Sequence, residues 1–381
     1  MRVVVAPDSF KGSLNAAAAA AAIGTGWRAV RPLDEVLLVP QADGGEGTLD
    51  AIAAAIPGAA LVAVGPVTGP DGRPVPSRWL HLPDGTAVVE LALSSGLPLM
   101  GALDPLGATT RGLGEVIAAA LSAGARALVI GLGGSASTDG GAGALRALGL
   151  ELFDADDRAL PDGGGALARL ARVNASRMQP APLGGVRLLS DVTAPLLGPS
   201  GAAAVFGPQK GANPEQVLEL DGALARWTSH LEDVPVVKDG PWNPERAATT
   251  PGSGAAGGTG YGFLALWGAG IESGSAAIAE LTGLVAAAAS ADVLITGEGR
   301  FDTTSLTGKV TGNALSLPTR PDARRALIAG SLAMPAPPGV WATSLVELAG
   351  SRDNALDEPE RWLFAAGIAA ARSLGARATR E

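Results

Sequence analysis

The sequence predicts an α/β protein of two domains, and three observations carry that expectation. Short β-branched apolar runs at 3–6 and 36–39 are each followed by a loop and a helical stretch. Between 61 and 92 the texture changes to alternating apolar positions broken by Pro70-Asp71-Gly72 and Pro83-Asp84-Gly85. From about residue 285 the strand–helix rhythm returns, with apolar runs at 293–296, 326–329 and 340–342. The outer parts therefore read as one Rossmann-like domain with a parallel sheet formed from both chain ends (1–65 and 285–381). The middle (66–284) reads as an inserted mixed α/β domain. A chain of 381 residues suits two domains at roughly 100–200 residues each.

Each element has a local reason. Residues 3–6 suit a strand buried on both faces. Ser13 is placed to cap a helix over 14–22, and Gly24 and Gly26 would fray its end. A second strand at 36–39 leads through Ala42-Asp43-Gly44-Gly45-Glu46-Gly47 into a helix over 48–56. Two successive βα units put both loops at the carboxyl edge of one sheet, where open α/β sheets bind ligands. The Pro-Asp-Gly turns predict antiparallel hairpins. Residues 127–130 form a strand leading into Gly131-Leu132-Gly133-Gly134, whereas 161–185 and 235–255 read as Pro/Gly-rich connections.

Composition excludes several kinds of chemistry. Hydrophobic residues make up 47% and charged residues 17%, so a packed core forms and disorder is not the dominant state. No cysteine is present, which removes disulfides, thiolate metal sites and cysteine nucleophiles together. The net charge of −9 opposes a nucleic-acid footprint, since phosphate neutralisation needs clustered Lys and Arg. His81 and His230, the two histidines, are too few for a multi-His metal site and read as surface or packing residues. Lysine is rare, and of Lys11, Lys210, Lys238 and Lys309 all but Lys238 adjoin a glycine. No apolar tract approaches the ~20 residues of a membrane span, and no signal-peptide core follows Met1, so a cytoplasmic protein is expected.

Five segments read as ligand loops: 7–13, 42–48, 133–143, 252–258 and 297–302, the last with Gly308-Lys309 close behind. Glycine lets backbone amides approach a phosphate, and every one of these loops except 252–258 carries a carboxylate. Glycines with carboxylates suggest phosphate together with magnesium, a cation that prefers hard oxygen ligands. Any one such loop alone reads as a turn; two that follow parallel strands and hold acids read as more. A Walker A loop is absent, because Gly308-Lys309 is followed by Val310 and the upstream glycine position is Thr303. Gly131-Leu132-Gly133-Gly134-Ser135-Ala136 fits a dinucleotide fingerprint, but Asp139, Gly140, Gly141 and Gly143 fall where its helix should run.

The motifs Ala6-Pro7-Asp8-Ser9-Phe10-Lys11-Gly12-Ser13, ADGGEGT at 42–48 and GGSASTDGGAG at 133–143 resemble the bacterial glycerate kinase type I family. So do Asp191-Val192-Thr193-Ala194-Pro195-Leu196, Val205-Phe206-Gly207-Pro208-Gln209-Lys210-Gly211-Ala212, Gly252–Gly258 and TGEGRFD at 296–302. They occur in family order across nearly the whole chain. Ser137-Thr138 stands where the family usually has Thr-Asn, and 310–326 is shorter and richer in Pro and Arg.

The resemblance implies ATP-dependent phosphorylation of D-glycerate, giving 2-phosphoglycerate, in a two-domain enzyme with its site in the cleft between domains. Phosphorylation at the 3-hydroxyl is the alternative, and a nucleotide or metabolite sensor or a nicotinamide-dependent dehydrogenase lies further off. Phosphoryl transfer asks for positioning and charge neutralisation. The expected base is Asp8 or Asp191, with Lys11 and Lys210 neutralising phosphate or carboxylate charge. Ser9 and Arg300 are expected on the substrate, Arg300 as a bidentate clamp. Gly133, Gly134, Ser135, Asp139, Gly140, Gly254 and Gly257 are expected on the nucleotide, and Asp43, Glu46 and Glu298 on Mg2+. Capping or an Asx turn is the competing role for Asp139 and Asp302. The partner is a small molecule, without nucleic acid or membrane; oligomeric state is open, a homodimer included.

Overall fold

A computed structural model describes residues 1–232, 234 and 243–375. Lys238 and the part of the 235–255 connection before Asn243 lie outside the described residues. In chain order the strands are β1 Arg2–Pro7, β2 Glu35–Leu38, β3 Ala60–Thr68, β4 Pro74–His81, β5 Thr86–Glu90, β6 Ala127–Gly131 and β7 Glu151–Phe153. There follow β8 Arg172–Asn174, β9 Val186–Leu189, β10 Gly270–Glu272, β11 Val293–Phe301, β12 Arg324–Leu332 and β13 Val340–Ser344. The chain divides into two compact units. The first comprises Met1–Asp43, Asp50–Pro57 and Ser273–Glu381; the second comprises Gly44–Leu49 and Gly58–Glu272.

The first unit is an all-parallel sheet in the order β13-β12-β11-β1-β2. Within it, flanked by β11 and β2, lies β1, whose residues Val3, Val4, Val5 and Ala6 are all fully buried. Side chains alternate in period two. Val3 and Val5 pack with Ile23, Trp27 and Leu363 on one face, and Val4 and Ala6 pack with Ala279, Leu284 and Ala288 on the other. Both faces are covered, which is why these strands are continuously apolar.

The first helix runs Ala16–Val30, and its cap is Asn15, not Ser13. Asn15 Oδ1 accepts from the Ala18 amide at 2.8 Å, while Ser13 Oγ donates to the Phe10 carbonyl at 2.8 Å and stays in the preceding turn. Gly24 and Gly26 do not fray this helix. A Cβ at Gly26 would stand 2.1 Å from the Phe364 carbonyl oxygen, and one at Gly367 would stand 2.2 Å from that of Ile23. The glycines let this helix and Pro359–Leu374 meet backbone to backbone.

The second unit holds a mixed six-stranded sheet, order β10-β9-β6-β5-β4-β3. Strands β10, β9, β6 and β5 run parallel, and β4 and β3 are antiparallel through the two Pro-Asp-Gly turns. Because β3 spans Ala60–Thr68 and pairs with β4, position 65/66 falls inside a strand. Position 284/285 falls inside the helix Leu284–Ala289. After β6 the next helix begins only at Ala142, behind Gly141 in the left-handed region at φ 76°. Residues 132–141 are therefore loop, and the helix start that a dinucleotide fingerprint needs is missing.

Residues 297–301 of the expected 297–302 loop instead continue β11. It stays paired with β12, Glu298 opposite Ala329 and Arg300 opposite Ser331. Close approach makes this possible: a Cβ on Gly297 would lie 2.0 Å from the Ile328 carbonyl oxygen, and one on Gly330 would lie 2.3 Å from that of Gly299. Among the described residues no helix is long and apolar enough to cross a membrane.

Candidate active site

The parallel sheet of the first unit has a switch point. From β1 the chain moves out to β2 on one side, and from β11 it moves out to β12 on the other. Ligands in such sheets sit beyond the carboxyl ends of the strands at that point. A cavity of about 530 Å³ lies there, lined by residues of the first unit. From β1 and its loop come Asp8, Ser9, Phe10, Lys11 and Ser13; Asp43 follows β2; Glu298, Gly299 and Arg300 come from β11; Lys309, Gly330 and Ser331 complete the polar side.

Backbone geometry holds the β1 loop. The Asp8 amide donates to the Gly297 carbonyl at 2.8 Å, and Phe10 and Leu14 exchange a pair of backbone hydrogen bonds at 2.8 and 3.0 Å. Phe10 is buried beneath, and Gly12 turns the tip at φ 80°. Lys11 is thereby exposed at the tip and lines the cavity.

Asp8 has strongly perturbed electrostatics. Burial and the neighbouring negative charges of Asp43 and Glu298 push its carboxyl up to about 7, against the opposing pull of the Ser9 amide and Lys11. The Ser9 amide donates to Asp8 Oδ1 at 2.6 Å. Burial likewise raises Glu298, partly offset by the nearby hydroxyls of Thr311 and Ser305, and Glu298 Oε1 has no hydrogen-bond partner. Arg300 stands 3.7 Å from Asp302, and Lys309 Nζ donates to Thr304 Oγ1 at 3.1 Å. Asp302 itself caps the Thr303–Leu306 turn, accepting from the Thr304 amide and hydroxyl.

The remaining expected residues lie in the second unit, along the carboxyl edge of β5, β6 and β9. Glu90 ends β5 and is buried, and its carboxylate accepts from the Gly47 and Leu49 amides, each at 3.1 Å. It anchors the loop that carries exposed Glu46. Asp139 is fully buried and accepts from the Thr110 amide (2.9 Å) and hydroxyl (2.8 Å), the Gly141 amide (3.1 Å) and the Gly143 amide (3.2 Å). Burial raises its pKa against those four donors. Lys210, 3% exposed, donates to Ser135 Oγ and the Ser137 carbonyl; burial lowers it to about 8, with Asp139 pulling the other way.

Glycines there serve loop packing. A Cβ on Gly257 would be 2.0 Å from the Ser137 carbonyl oxygen, one on Gly254 2.2 Å from that of Pro195, and one on Gly140 2.7 Å from Trp227 Cδ1. Of the expected nucleotide residues, Gly133 is half-buried and Gly134 exposed. Asp191 follows β9 and is half-buried.

Among the described residues no group of three or more His, Cys, Asp or Glu is arranged to hold a metal. Magnesium needs less than that. It is bound through one or two carboxylates plus substrate phosphates, and Asp43 and Glu298, both on the cavity, are the carboxylates that could hold it.

Sequence reasoning did not single out Glu90, Thr110 or Arg352. Glu90 had a signal: it is the lone charge in the apolar run 87–93.

The fold and the cavity define a class, an α/β protein that gathers cations and carboxylates at a sheet switch point. The profile of the glycerate kinase family matches residues 3–374. The glycerate 2-kinase of Escherichia coli (strain K12) is 43% identical over 316 residues, covering 81% of this chain and 80% of that protein. The glycerate kinase of Bacillus subtilis (strain 168) is 43% identical over 314 residues, covering 81% and 79%. A crystal structure from Salmonella typhimurium LT2, assigned as a glycerate kinase 2, superposes with a TM-score of 0.81 at 36% identity, covering 98% of both chains. The chain belongs to the glycerate kinase family, and it is a phosphotransferase that acts on an alcohol group of a small molecule.

Proposed function

We propose that this enzyme transfers a phosphoryl group from ATP to the 2-hydroxyl of D-glycerate, giving 2-phosphoglycerate and ADP. The convergence of Asp8, Lys11, Asp43, Glu298 and Arg300 on one cavity at the switch point carries this reading. The choice of the 2-hydroxyl is supported by the 43% identity to the E. coli protein named a glycerate 2-kinase.

In this reading Arg300 and Ser9 hold the glycerate carboxylate, the guanidinium offering paired donors to the two oxygens. Asp8 accepts the proton of the attacking hydroxyl, a role favoured over Asp191 because Asp8 shares the cavity with the other charged groups. Lys11 lies beside the oxygens that gain charge in the transition state. Asp43 and Glu298 would hold Mg2+. ATP would supply the phosphoryl group, and the Mg2+ held there would neutralise charge on its phosphate oxygens. A cytoplasmic enzyme, as a monomer or homodimer, is part of the same reading.

The test is ADP release from ATP, Mg2+ and D-glycerate, with the product read by phosphorus NMR. A 2-phosphoglycerate signal is expected. A 3-phosphoglycerate signal would overturn the regiochemistry, and folded protein without glycerate-dependent ADP release would overturn the reading.

A further inference from the structure

The cavity of the first unit is built for more than a three-carbon acid. Besides its charged residues, the lining takes an apolar wall from two short helices, Leu345–Ala349 and Arg352–Asp357. Ser344 and Ser351 cap them, accepting from the Glu347 amide at 3.1 Å and the Asn354 amide at 3.2 Å, which fixes the wall's shape. Leu345 and Ala355 are buried in it at 2% and 4% exposure, Val346 is half-buried, and Leu356 stays 50% exposed. Arg352 sits in the same lining, exposed.

Glycerate has a carboxylate and two hydroxyls and no apolar end, so the wall offers it nothing. A nucleoside triphosphate is amphiphilic in the sense this cavity demands: a flat apolar base at one end, a polyanion at the other. The cations agree. Lys11, Arg300, Lys309 and Arg352 line one cavity, more than a single carboxylate requires. The glycine loops of the second unit, by contrast, have the spaces beside Gly140, Gly254 and Gly257 filled by protein atoms.

We infer that the donor's nucleoside seats on the Leu345–Val346–Ala355–Leu356 wall of the first unit, with Arg352 at the rim and the polyphosphate passing Lys309 and Lys11 toward Asp8. The inference rests on the proposed kinase reading and names where the donor is held. Arg352 can stack its planar guanidinium on the base, and Leu356 and Val346 offer apolar area that the base would take from water, with Leu345 and Ala355 packed behind them.

Leu356→Asp tests it, since an exposed position tolerates the change and a carboxylate there faces the base. Equilibrium dialysis with labelled ATP is expected to show affinity reduced about tenfold, the equivalent of ~1.4 kcal/mol, with the melting temperature unchanged. Inorganic tripolyphosphate, which has no base, should compete for wild type and variant equally. In turnover, KM for ATP rises and KM for glycerate does not. Arg352→Ala should move the same quantities in the same direction. Unchanged ATP affinity in both variants, or a change in glycerate KM alone, overturns the inference. A wild type that binds ATP in dialysis with this pattern yet phosphorylates no glycerate overturns the function and leaves the seat standing.

Discussion

The two units use one local vocabulary, glycines and carboxylates at the ends of parallel strands, to opposite ends. In the second unit the carboxylates are spent on the backbone. Asp139 accepts four donors and Glu90 takes two amides, so each holds a loop in shape. In the first unit Asp8, Asp43 and Glu298 face a shared cavity, and the negative neighbours raise Asp8 instead of relieving it. A carboxylate with its donors satisfied is scaffold; carboxylates set against one another await a cation or a proton. The difference lies in which groups complete each side chain, not in the motif.

The sharpest way to break this comparison is Asp8→Asn. Loss of a positioned base costs roughly 10²–10⁴ in rate, so kcat should fall about a thousandfold. Stability should not fall with it, because the substitution removes one of several like charges. Paired measurement of kcat and melting temperature checks both halves. An Asp8→Asn enzyme that turns over normally would return Asp191 to the role of base, and one that unfolds would make Asp8 scaffold as well.

The converse substitution in the second unit is Gly257→Ala. Its Cβ would be 2.0 Å from the Ser137 carbonyl oxygen at a backbone φ of 65°. Overpacking with left-handed strain costs roughly 3 kcal/mol or more. For a unit of this size that lowers the melting temperature by about 6–12 °C. A fall of under about 2 °C would mean that the two loops have slack and that Gly257 is free to serve a ligand.

These contrasts also mark what could be read in the chain. Asp8, Lys11, Asp43, Glu298 and Arg300 were visible because they stand at the ends of strands whose apolar runs are unmistakable. Parallel topology then brings strand ends together at one edge. The hairpins were visible because Pro-Asp-Gly demands a turn. Leu345, Val346 and Leu356 were not, since an apolar face on a short helix looks the same whether it meets a core or a ligand. Gly24 and Gly26 look like helix breakers until their neighbours are known, and nothing in residues 16–30 says that Leu38 of β2 will press on the one and the Phe364 carbonyl on the other. Asn15 displaced Ser13 as the cap because the Phe10–Leu14 turn takes the Ser13 hydroxyl first. Asp139 is the instructive intermediate. Its competing role as a loop brace was legible, and deciding it required seeing Thr110, 29 residues earlier, arrive beside it.

A smaller effect tests whether satisfied carboxylates in the first unit behave as scaffold too. Asp34 lies away from the cavity lining. Its burial would raise the pKa, but hydrogen bonds from Arg31 (2.6 Å), the terminal amine (2.9 Å) and Trp27 (3.0 Å) prevail and hold it near 2. A carboxylate whose folded pKa lies below its unfolded value of about 3.9 stabilises the fold above that value. The contribution is lost as pH falls through the folded pKa. Asp34→Asn should therefore cost roughly 1–2 kcal/mol at neutral pH, allowing for solvent screening, and the gap to wild type should close between about pH 4 and pH 2. Urea unfolding of both proteins across that range reads it directly, with kcat at pH 7 expected to be unchanged. A gap that stays constant with pH would trace the loss to packing around Trp27 and not to the charge. A fall in kcat at equal stability would mean that this pinned corner bears on the cavity after all, and the line drawn between satisfied and opposed carboxylates would have to move.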